Sequence, residues 1–145
     1  MPKSFSLPSM SFRSALGLLG VVVILQSGLA LADDMKVSLS GSQEVPPVTT
    51  SASGSGTITV NPDGSVSGSV TTTGINATGA HIHVGAADKN GPVIIPLSKS
   101  GDNVWTVVPA AKLSGEQMKS FKAGDLYVNV HSAAHPGGEI RAQLK

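Results

Sequence analysis

Apolar and polar residues alternate along much of this chain from residue 35 onward. In MKVSLS (35–40), Met35, Val37 and Leu39 would line one face of a strand and Lys36, Ser38 and Ser40 the other, because successive side chains of a strand point to opposite sides. The same period of two runs through GTITV (56–60) and SVSGSV (65–70). NPDG (61–64) lies between them. Pro62 suits a φ near −65° and Gly64 tolerates positive φ, so the two runs are expected to form a hairpin. Further short runs follow in GAHIHVG (79–85), PVIIPL (92–97), NVWTVVP (103–109), DLYVNVHS (125–132) and GEIRAQL (138–144). Eight short strands with frequent turn residues predict an all-β fold, an antiparallel Greek-key sandwich or barrel. VPPVTTSASGSG (45–56) is expected to be a loop or irregular edge with a flexible SASGSG piece, since paired prolines cannot serve a central ladder.

One stretch departs from the two-residue period. LSGEQMKSFKAG (113–124) offers Ser114 as N-cap with Gln117 three residues on, the two halves of a capping box, and Leu113 and Met118 as a hydrophobic staple. Gly124 can end the last turn. One short helix near 114–122 is therefore predicted, covering one end of the β structure.

The first 32 residues follow a third pattern. Lys3 and Arg13 precede the apolar run ALGLLGVVVIL (15–25), and Ala30-Leu31-Ala32 closes the segment. A basic start, a short apolar run and an A-x-A end predict a signal peptide over 1–32, cleaved after Ala32. The run falls short of the roughly 20 residues that cross a bilayer. The expectation is one domain, 33–145, periplasmic or secreted and without a membrane span after cleavage. Of the 10 basic residues, Lys3 and Arg13 lie in this segment, so the remainder carries 8 against 9 acidic residues and a formal net charge of −1. No basic patch with aromatic interleaving is visible, which argues against nucleic acid. There is no cysteine, so neither disulfides nor a lipid anchor are available, and the core or a bound metal must hold the domain together.

Candidate chemistry is concentrated in four histidines: His81, His83, His131 and His135. Strand parity sets His81 and His83 opposite Ile82 and Val84. Tyr127, Asn129 and His131 oppose Leu126, Val128 and Val130, and Glu139, Arg141 and Gln143 oppose Ile140, Ala142 and Leu144. The apolar sets must face the core, so the histidines are expected to face outward. Imidazoles two residues apart on a strand have Cα atoms about 6.5–7 Å apart, and both can reach one ion at metal–nitrogen distances of about 2.0–2.1 Å. His131 would add a third ligand, and His135 or water a fourth. Imidazole donors and the Irving–Williams order favour copper, with zinc possible. The alternative is solvated surface histidines with no ligand.

Other residues suggest plainer roles. Glu139 and Arg141 read as an exposed ion pair of small energetic value. A functional alternative has Arg141 attracting an anion or Glu139 accepting from a ligating imidazole. Glu44 is expected to tie a loop to backbone N–H groups, and Trp105 and Tyr127 to be packing residues. No Ser-His-Asp order, nucleotide loop or carboxylate pair stands out, so a non-catalytic role is favoured over an enzymatic one, which stays open.

Three blocks, SGSQEVPPVTTSASGSGTITV, GAHIHVGAADKNGPVIIPL and AGDLYVNVHSAAHPGGEIRAQL, resemble those of the CHRD domain, a family named for chordin and widespread in exported bacterial proteins. The resemblance runs from about Leu39 to Leu144. It implies one immunoglobulin-like or superoxide-dismutase-like β-sandwich and says little about activity. His81, His83 and His131 fall on histidines of the family pattern, and Gly137, Gly138, Glu139 and Arg141 on its C-terminal motif. His135 falls where residues vary. The His-x-His strand is also similar to the copper-binding strand of copper–zinc superoxide dismutases, but the disulfide, the zinc loop and a bridging histidine are missing. Three functions stay open: an exported metal-binding domain, a non-catalytic module that binds another protein, the cell envelope or a second copy of itself, and a small dismutase-like redox enzyme.

Overall fold

The computed structural model describes Ser4 and residues 28–145. Apart from Ser4 and residues 28–32, the expected signal segment lies outside the described residues. All eight predicted strands are present: β1 (Asp33–Ser40), β2 (Ser53–Val60), β3 (Val66–Thr73), β4 (Ala77–Val84), β5 (Val93–Gly101), β6 (Val104–Val107), β7 (Leu126–Ser132) and β8 (Ile140–Gln143). They close into an antiparallel barrel in the order β1-β2-β3-β6-β5-β4-β7-β8, with β8 returning to β1 through Ser40 and Arg141. The chain leaves β3 and enters β4 with two strands, β6 and β5, lying between them, which is the crossing of a Greek key. That crossing seats β4 directly beside β7.

The barrel interior is filled by the apolar parity of each strand. Leu39, Ile58, Val70, Ile82, Leu126, Val128, Val130 and Ile140 are all essentially inaccessible to solvent. Each such side chain contributes about 1.5–3 kcal/mol on burial. Trp105 lies in the same core. The helix α1 (Gly115–Lys122) forms with both halves of its capping box. Ser114 Oγ accepts from the Gln117 backbone N–H at 3.2 Å, and the Gln117 side-chain oxygen accepts from the Ser114 N–H at 2.8 Å. Its Phe121, with Leu113 just before it, joins the core, and Gly124 follows with φ +78°.

Two expectations need correction. Residues 53–56 are not loop: Ser53–Gly56 pair with β1 on one side and β3 on the other. Backbone pairing on both flanks makes a strand there without an alternating apolar set, so the loop spans only 45–52. The second correction concerns the polar faces of β4, β7 and β8. Their parity is as predicted, away from the barrel interior, yet they are not exposed. Asn129, Tyr127 and Arg141 are 1–2 % accessible and His83 7 %. Segments 44–50, 85–91 and 134–138 fold over this face and form a second, polar layer.

Arg141 anchors that layer. It makes no exposed pair with Glu139. Its guanidinium donates to the carbonyls of Ala86 and Lys89 and to the side chains of Asn90 and Gln143. Gln143 in turn donates to Gly85 O and Gly124 O. Glu139 instead accepts from Thr50 Oγ1 at 2.7 Å. Among the described residues, no helix is long and apolar enough to cross a membrane.

Candidate metal centre

The register between β4 and β7 assembles the site. Gly79 pairs with His131, His81 with Asn129, and His83 with Tyr127. All six therefore lie on the covered outer face, in two rows of three. Gly79 puts no side chain opposite His131, which leaves its ring free to lean towards His81. His81 Nδ1 and His131 Nε2 lie 3.0 Å apart. The His81 and His131 ring centroids are 4.9 Å apart, and His83 is about 6 Å from both. One nitrogen from each of the three imidazoles falls within 4.8 Å of the others.

Backbone carbonyls orient two of these rings. His83 Nδ1 lies 2.9 Å from Gly91 O and His131 Nδ1 lies 2.9 Å from Pro136 O. A carbonyl only accepts, so each Nδ1 carries the proton and each Nε2 presents a lone pair. The His83 Nε2 lone pair is buried and has no partner among the described residues. An orphaned buried acceptor costs about 1–3 kcal/mol. A cation seated between the rings would remove that cost. At His131, Nε2 is the acceptor in the short contact, so His81 Nδ1 donates to it; His81 would ligate through Nε2, or through Nδ1 once its proton has moved to Nε2.

Burial pushes the His81 imidazole below the ordinary histidine value, and the nearby His131 and His83 add to this. Burial also pushes His83 down, overcoming the opposing bond to Gly91 O. Both shifts favour the neutral ring, the form that ligates.

His83 is further fixed by its neighbour. Its ring stacks on Tyr127 with centroids 4.7 Å apart and planes within 3°. The Arg141 guanidinium carbon lies 3.5 Å from the centre of the same ring. Because β7 runs between β4 and β8, the tyrosine is flanked by imidazole on one side and guanidinium on the other. The Tyr127 hydroxyl accepts from the Gly91 N–H at 3.1 Å. Gly91 thus links the two rings, donating to one and accepting from the other. A Cβ at Gly91 would strike Val84 O, so only glycine lets this segment approach β4 closely enough.

His135 does not join the cluster. It sits in the 132–138 turn, where its N–H and carbonyl bond to Ser132 and Gly138, and its charge bears on Glu139. Glu44 is buried in the covering layer, and one carboxylate oxygen, Oε1, has no partner among the described residues. It does not bond to backbone N–H groups as expected. Burial pushes its pKa up to about 7 against the pull of Arg141. Tyr127 is a packing residue as expected, but it packs on a candidate ligand. The carbonyls of Gly91 and Pro136 leave no trace in side-chain chemistry, and the sequence carried no signal for them.

The CHRD domain model matches residues 35–144, covering every residue of this cluster and all of the strands except the first two residues of β1. No curated protein and no solved structure matches the chain.

Proposed function

We propose that this chain, which belongs to the CHRD domain family, is an exported domain that binds one transition-metal ion, copper, through His81, His83 and His131. The observation that carries this reading is the convergence of three imidazole nitrogens within 4.8 Å of one another. Two of the three rings are already oriented by carbonyl acceptors on Nδ1. Ligating histidines almost always have such a partner on the second nitrogen. An all-nitrogen donor set with no thiolate favours Cu²⁺ over the other divalent ions, zinc following. Export rests on the basic, apolar and A-x-A progression of residues 1–32. It also suits the start of β1 at Asp33, since cleavage after Ala32 would remove no paired strand residue.

Calorimetric titration of the metal-free protein with copper tests the site. One equivalent should bind to the unsubstituted protein and to His135→Ala. The His81→Ala/His83→Ala double variant should lose the binding. Unchanged affinity in the double variant would overturn the proposal and leave a protein-interaction module as the better account.

A further inference from the structure

The outer faces of β4 and β7 hold unmet hydrogen-bonding capacity in one short side chain. Asn129 stands in register with His81, flanked along its own strand by Tyr127 and His131. It is 2 % accessible. Its Nδ2 donates to Gly137 O at 3.4 Å. A Cβ built on Gly138 would meet both Asn129 Nδ2 and Glu44 Oε1, so these two atoms flank one point. The Gly137 carbonyl on the amino side sets which way the amide points. The carbonyl oxygen is then turned from the covering loops, and Asn129 Oδ1 is buried with no partner among the described residues. His83 Nε2 is unpartnered in the same way. In the β4–β7 register Asn129 is the diagonal neighbour of His83 on the same face.

Two orphaned acceptors side by side, one imidazole nitrogen and one amide oxygen, have a common remedy. Neither can donate to the other, because His83 carries its proton on the opposite nitrogen. A cation satisfies both at once. Asn129 is opposite His81, next to His131 along β7 and diagonal to His83, so its short side chain neighbours all three imidazoles. We propose that Asn129 completes the metal site, with Oδ1 as the oxygen donor that faces the ion from the protein side. This inference rests on the three-histidine site proposed above. It gives the site a mixed set of three nitrogens and one oxygen, drawn from β4 and β7 alone. It also assigns Gly137 O the task of holding the amide in the ligating orientation.

Zinc and copper titrations test it without ambiguity. In the unsubstituted protein, zinc should shift the histidine ring carbons and also the Asn129 side-chain carbonyl carbon, the latter more than any other side-chain amide. Asn129→Leu should weaken copper binding by roughly 10-fold or more, at least the loss that follows removal of a group that only supports a ligand, and should change the copper spin-resonance spectrum. Asn129→Asp keeps an oxygen at the ligating position and should bind copper at least as tightly as the unsubstituted protein. Histidine shifts with an unmoved Asn129 carbonyl would overturn this inference alone. So would Asn129→Asp weakening copper as much as Asn129→Leu, since that pattern belongs to a side chain that merely holds Gly137. The absence of every histidine shift would instead remove the metal site itself. The zinc experiment needs no substitution, so it decides the matter even if Asn129→Leu fails to fold.

Discussion

His83 and Glu44 respond to burial in opposite senses. Burial holds His81 and His83 neutral to a lower pH than an exposed histidine, and an imidazole must be neutral to ligate. Copper binding should therefore persist at pH 6.5, the unperturbed histidine value, and be lost only at lower pH. Titrations at stepped pH check this, and a fall already complete at 6.5 would contradict it. Burial raises the Glu44 pKa from its ordinary 4.5 to about 7 in the folded protein. Its raised value favours the fold fully below 4.5, and that contribution is lost as pH rises through about 7. Glu44→Gln removes the titration, so the metal-free variant should lose less stability between pH 5 and pH 8 than the unsubstituted protein. Urea midpoints at both pH values measure the difference. At this level the sequence revealed direction but not depth. Parity aligned His81 and His83 and put His131 on the matching face, because a strand's period is fixed by backbone geometry. Their burial depends on loops that arrive from 44–50, 85–91 and 134–138, and no local pattern encodes where a loop comes to rest. Arg141 shows the same limit: its outward parity was legible, and its role under the covering layer was not.

Among the elements, β4 and β7 carry the site and segment 85–91 covers it. Gly91 joins these functions through its bonds to His83 and Tyr127. Gly91→Ala should destabilise the fold by about 0.5–3 kcal/mol, the common range for a strained substitution, because the added Cβ meets Val84 O. It should also weaken copper binding, since the carbonyl that orients His83 must move. Thermal melts and calorimetry on the one variant read both effects, and normal stability with normal binding would refute this account of Gly91. The helix α1 was the most legible element, for its capping box, staple and terminal glycine all lie within twelve consecutive residues. The start of β2 was the least legible. Ser53, Gly54 and Ser55 have the composition of a linker, and only their pairing with β1 and β3 makes them strand.

Taken whole, the molecule is an eight-stranded barrel whose residues from Asp33 onward carry a formal charge of only −1. Rapid capture of superoxide depends on a positive field that steers the anion. Arg141, the one arginine beyond residue 32, is buried with its donors engaged by Ala86, Lys89, Asn90 and Gln143. Copper-loaded protein should therefore dismutate superoxide far below the diffusional ceiling of about 10⁸–10⁹ M⁻¹s⁻¹. Pulse-radiolysis decay rates check this, and a rate near the ceiling that disappears in His83→Ala would show the charge argument to be wrong. The adjacency of β4 and β7 has one more consequence. His81 and His131 are 50 residues apart in the chain, so an ion shared between them ties off a long loop, much as a covalent cross-link would. A ligand present at 100 times its dissociation constant adds about 2.7 kcal/mol to the folded state. For a chain with no cysteine, that ion is a removable rivet: metal supply, rather than redox state, would govern how long the barrel stays shut.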